Sequence, residues 1–128
     1  MADPDNSGKP PAGLIAGSRV AGTAVFNSAG ERLGTVQDVM IDKESGRVAY
    51  AVLSFGGFLG IGDRHHPLPW AALTYDTALG GYVVRLDREQ LAGAPVLEDD
   101  AEAALRDRAY GERVHAYWNV APYWSMLP

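Results

Sequence analysis

From Leu14 to Leu86 the apolar positions fall in short runs separated by turn chemistry. "GTAVFN" leads into Asn27-Ser28-Ala29-Gly30, "RLGTVQDVMID" into Lys43-Glu44-Ser45-Gly46, and "ALTYD" into Thr77-Ala78-Leu79-Gly80-Gly81. Each run closes on Asn or Asp, whose side chain can hydrogen-bond the turn backbone, and a glycine follows where a positive φ is expected. This is the pattern of consecutive hairpins.

The run "RVAYAVLSF", Arg47 to Phe55, is apolar in both alternating sets, Val48/Tyr50/Val52 and Ala49/Ala51/Leu53/Phe55. A strand wetted on one face alternates with polar residues, so this one is expected to be covered on both sides, one by a barrel interior and the other by a helix or a partner. In "RLGTVQDVMID" the positions Leu33, Val36, Val39 and Ile41 depart from period two, and a bulge near Gly34 or Gln37 would restore it while curving the strand. About six short strands with no helix between them predict a mostly-β fold, a small antiparallel β-barrel, because parallel pairing requires long crossovers that the pattern lacks. After the strands, "DREQLAGAP" predicts one helical turn. "EDDAEAALRDRAYGERVHAYW" predicts a short C-terminal helical appendage, with acids at its start, Arg106 and Arg108 near its end and Gly111 after them. The expected organisation is a flexible tail over residues 1–13, a barrel over 14–95, and a helical and aromatic segment over 96–128 that packs on a barrel.

Composition narrows the function. At 128 residues the chain suits one domain, and the 47% of hydrophobic residues suit a folded one. The formal charge of −5 and the lack of any Lys/Arg run argue against direct nucleic-acid binding. The absence of cysteine removes disulfides, thiolate metal sites and thiol nucleophiles together. "MADPDNSGKPPAGLIAGS" has no charged start followed by an apolar run, and no later stretch reaches membrane-spanning length, so a cytoplasmic protein without membrane insertion is expected.

The stretch "FGGFLGIGDRHHPLPW", residues 55–70, carries the strongest candidate chemistry. A phosphate cradle needs its glycines between a strand and a helix, whose N-terminal amides bind the anion; here Pro67 and Pro69 follow, and they forbid a regular helix. The glycines instead read as a long hairpin connection with Phe58, Leu59 and Ile61 as hydrophobic plugs. His65 and His66 invite a metal, with His115 and Asp63 as further ligands. Adjacent strand residues point to opposite faces, however, so only His65 and Asp63 would share one. Ser45 and Ser54 lie outside any nucleophile elbow, and Asp38 and Asp42 read as edge charges and turn caps. Arg108, Tyr110, Arg113, Tyr117 and Trp118 could stack bases, but read better as packing of the appendage on the barrel. No cofactor and no catalytic constellation is predicted, and the chain is not expected to be an enzyme.

The segment from Ser18 to Leu86 resembles the PRC-barrel family. The shared features are Gly22, the Gly30 turn, "LGTVQDVMID", the Gly46 turn, the strand ending in Ser54-Phe55-Gly56-Gly57, and "HPLPW". The resemblance implies a small, mostly antiparallel β-barrel that works by binding other macromolecules rather than by catalysis. The expectation is therefore a protein-interaction module, adaptor or assembly factor, with an unidentified protein partner. Two surfaces could serve it. One is the outer face of Tyr50 and Val52, covered by the C-terminal segment or, in a homodimer, by a second copy. The other is the hairpin with Phe58, Leu59 and Ile61, and Trp124 in "APYWSMLP" is expected to dock on a barrel. The alternative is a small-ligand or metal-responsive protein using His65 and Asp63.

Overall fold

The computed structural model describes residues 13–55, 64–86, 88–98 and 100–126. A turn of helix, α1 (Gly17–Val20), precedes six strands: β1 (Ala24–Phe26), β2 (Arg32–Ile41), β3 (Val48–Phe55), β4 (Arg64–Pro69), β5 (Thr74–Asp76) and β6 (Gly81–Val83). A 3-10 turn at Trp70–Ala72 joins β4 to β5. Three helices follow, α2 (Arg88–Ala92), α3 (Ala101–Leu105) and α4 (Arg108–Trp118), and the chain ends in a second 3-10 turn at Tyr123–Met126.

The turns form as the pattern predicts. Asn27 Oδ1 accepts from the amides of Ala29 and Glu31, Asp42 Oδ2 from Ser45, and Asp76 Oδ1 from Ala78 and Leu79. The glycines that follow, Gly30, Gly46 and Gly80, have φ of 86°, 77° and 70°. The register of β2 against β3 shifts between Val36 and Asp38, which places the expected bulge at Gln37.

The strands form one mixed sheet in the order β4-β3-β2-β1-β6-β5. The expected mostly-β architecture of about six strands with a helical appendage is present, with one feature the pattern did not suggest. β1 and β6 pair in parallel, Val25 opposite Tyr82. The crossover that a parallel pair requires is the intervening run of strands, not a helix.

β3 is covered on both faces, as its double apolar pattern predicts, and only Val48 and Ser54 along it are not buried. The core continues through Val25, Val36, Leu68 and Val84 into Leu91, Val114 and Trp118, so the C-terminal helices share the core of the sheet. The chain returns along the outer edge of β4. Leu97 N–H donates to His65 O at 2.7 Å, and the His66 ring meets Pro95 O at 2.9 Å. An unpaired edge strand is thereby covered, and α4 lies over β4.

The appendage differs from its expected form. Two helices replace one, because Asp107 ends α3 and caps α4, accepting from Ala109 N at 3.0 Å. Gly111 is not a stop signal; it lies within α4 and is buried. The true stop is Asn119, in the left-handed conformation at φ 58°. Among the described residues no helix is long and apolar enough to cross a membrane. The tail assigned to residues 1–13 lies outside the described residues except for Gly13.

Candidate functional site

An apolar concavity forms where the start of β3, the Trp70 turn and the end of the chain meet. It is a cleft of about 140 Å³ with walls of Val48, Ala49, Pro69, Trp70, Val120 and Tyr123. Asp42, Ser45 and Arg47 lie at the end supplied by the β2–β3 turn. A cavity of roughly 150 Å³ lined by apolar groups holds a benzene-sized body. The cleft therefore has the capacity for one aromatic or branched aliphatic side chain.

One wall is held by His115, which also borders the cleft. Its Nδ1 lies 2.8 Å from Gly111 O, one turn back along α4, and its Nε2 accepts from Tyr123 N at 3.3 Å. A carbonyl can only accept and an amide can only donate, so the two bonds together specify the Nδ1–H tautomer. His115 thus ties the terminal 3-10 turn to α4 through backbone groups, with neither nitrogen left over. Around it the rings of Tyr50, Tyr123 and Trp124 lie 5.3, 6.1 and 5.4 Å away, centroid to centroid. The Arg108 guanidinium caps the Trp124 ring at 4.6 Å.

Two buried groups nearby carry shifted protonation. Burial pushes the Tyr50 hydroxyl far above its ordinary range, reinforced by Tyr123 and Tyr110, and its oxygen has no hydrogen-bond partner among the described residues. Burial also holds His66 below the ordinary imidazole value, against the opposing pull of the Pro95 and Ala94 carbonyls. At the rim, Asp42 is lowered, chiefly by its hydrogen bond to the Ser45 hydroxyl.

The residues singled out from the sequence divide into three groups. Tyr50 and Val52 are 2% and 3% exposed. The chain's own His115 and Tyr123 pack against the Tyr50 ring. Trp124 docks within the same chain, edge-on to Tyr123 and His115. Phe58, Leu59, Ile61 and Asp63 lie outside the described residues. His65 and His66 diverge as the strand requires: His66 is fully buried against Pro95, while His65 is partly exposed. His115 takes its place in the bracket described above, and no group of three His, Asp or Glu among the described residues could hold a metal ion.

Sequence reasoning did not find the cleft. "HPLPW" and "APYW" were its only signals, and they lie more than fifty positions apart, joined only by the path of the C-terminal segment.

No curated protein matches the chain. Among solved structures it is similar to a 16S ribosomal RNA processing protein RimM from Pseudomonas aeruginosa, with 21% identity and a TM-score of 0.39 over 63% of this chain and 50% of that one. The chain thus spans half the length of that relative. Residues 12–91, well over half of the sequence, match the PRC-barrel domain, and the chain belongs to that family.

Proposed function

We propose that the chain is a non-enzymatic protein-interaction module whose Trp70–Tyr123 cleft receives an apolar side chain of a protein partner. The observation that carries this reading is the make-up of the cleft. Its walls are apolar and close to the volume of one large side chain. Its titratable neighbours are committed elsewhere: both His115 nitrogens hold backbone groups, and Asp42 is held as an ionised turn cap. A general base must be free to take a proton, and His115 has no free nitrogen to do so. Family membership agrees, since the resemblance implies binding rather than catalysis. Self-association is not part of the reading; the Tyr50 ring packs against the chain's own His115 and Tyr123.

The test uses Ala71→Trp. Ala71 is exposed and borders the cleft, so a bulky side chain there is expected to obstruct it without entering the core. Both forms, checked for equal folding by circular dichroism, are used to capture proteins from native lysate. A partner retained by the parent and lost by the variant supports the reading. Identical captured sets overturn it.

A further inference from the structure

The cleft continues into a second concavity, and the two share Asp42, Ala49 and Tyr123. This groove, of about 830 Å³, runs between the far end of β2 and α3. Its apolar lining comes from Val39, Met40, Ile41 and Leu105, and Ile41 is 57% exposed. Its rim is acidic: Asp38, Asp42, Glu44, Asp100 and Glu102 outnumber Lys43 and Arg106 in the groove and Arg47 at the cleft. Three of these carboxylates are fixed by backbone amides, Asp38 by Val39 at 2.8 Å, Asp42 by Ser45 at 3.2 Å and Asp100 by Ala103 at 3.2 Å. Each of these bonds occupies one oxygen of its carboxylate and leaves acceptor capacity toward solvent.

The arrangement restricts what can lie there. The carboxylates do not converge on a point, since no three acids or histidines among the described residues are placed to share an ion. Nucleic acid would bring phosphates against the acidic rim. A second copy would bring the same carboxylates against themselves. An extended cationic chain meets the charges one at a time along the groove while covering the exposed apolar lining.

We propose that cleft and groove together bind one segment of a basic protein, with an apolar residue between Trp70 and Tyr123 and flanking lysines or arginines against Asp42, Glu44, Asp100 and Glu102. This rests on the anchor reading of the cleft and adds the partner's charge.

The test is fluorescence anisotropy of the full chain with three labelled peptides: one Phe between two Lys-Arg pairs, the same peptide with Glu for each Lys and Arg, and the basic peptide with Gly for Phe. The basic Phe peptide is expected to bind, more weakly as salt rises. Glu44→Lys and Glu102→Lys should each weaken it by about fivefold, the upper range for an exposed charge pair. Glu112→Lys, exposed on α4 and away from the groove, should not. Ala71→Trp and the Gly peptide should both lose the anchor. Equal binding of the acidic Phe peptide, with sensitivity to Ala71→Trp alone, overturns the basic partner and leaves the anchor reading standing. No binding by either Phe peptide, or binding unaffected by Ala71→Trp, overturns both. Sedimentation equilibrium completes the test: if the charge reversals change only self-association, the groove is a face between copies and the proposal fails.

Discussion

The Tyr50 hydroxyl stops 3.0 Å from the point where a β-carbon on Gly111 would stand, and the Trp124 ring approaches the same point to 3.3 Å. A glycine in the middle of a helix costs about 1 kcal/mol against alanine, and here a β-carbon would press on two aromatic side chains that would have to give by a few tenths of an ångström. Gly111→Ala recovers the helical term but crowds two aromatic groups, an overpacking cost of about 1–3 kcal/mol. A net loss of stability is expected in urea unfolding. Tyr50→Phe removes an oxygen that has no partner among the described residues, so it should be neutral or stabilising and should lessen the Gly111→Ala penalty in the double variant. Strict additivity would show that the two residues are not coupled.

His66 makes stability depend on acid. Its folded-state value lies below the ordinary imidazole value near 6.5, chiefly through burial, so the unfolded chain takes up the proton first. Its contribution is complete above pH 6.5 and is lost as pH falls from there toward the folded value, at a slope of up to about 1.4 kcal/mol per unit. His66→Asn keeps a donor toward Pro95 O but cannot titrate. Its melting temperature should fall less between pH 7 and 5 than the parent's, and parallel curves would remove His66 as the cause.

His115 is a bracket between helix and tail. His115→Phe keeps the ring but leaves the Tyr123 amide without its acceptor, a loss of about 1–3 kcal/mol. The terminal turn carrying Trp124 should loosen with it. Tryptophan emission should shift to the red and become easier to quench with acrylamide, while far-ultraviolet circular dichroism is retained. Unchanged quenching would mean that the aromatic contacts alone hold the tail.

At Gly34 β2 lies close against β3. A β-carbon there would run into the carbonyl of Ser54 on β3, in the most extensively paired part of the sheet. Backbone cannot move aside as a side chain can, so Gly34→Ala should cost about 3 kcal/mol or more. Gly17→Ala, with open space around the added carbon, is the control and should be tolerated.

Local chemistry was legible wherever the cause was local. The Asx turns at Asn27, Asp42 and Asp76, a bulge near Gly34 or Gln37 and the double burial of β3 could all be read directly from the chain. Each depends on residues a few positions apart and on period two. Gly111 misled, because a glycine that stops a helix and one that admits a close neighbour look alike until the neighbour is known. The candidate site was hardly legible at all. Trp70 belongs to a strand end and Tyr123 to the tail, and nothing in either stretch indicates that they face each other.

The sequence by itself determined the six strands, their turns, the strand apolar on both faces and the family. The tertiary structure decided that β1 and β6 pair in parallel, that the chain's own tail covers Tyr50, and that a small apolar cleft opens beside an acidic groove. The first set follows from hydrogen bonds and side-chain alternation within each segment. The second depends on the return of the C-terminal segment over β4 and β3, a long-range packing choice made by whole surfaces rather than by any one stretch of residues.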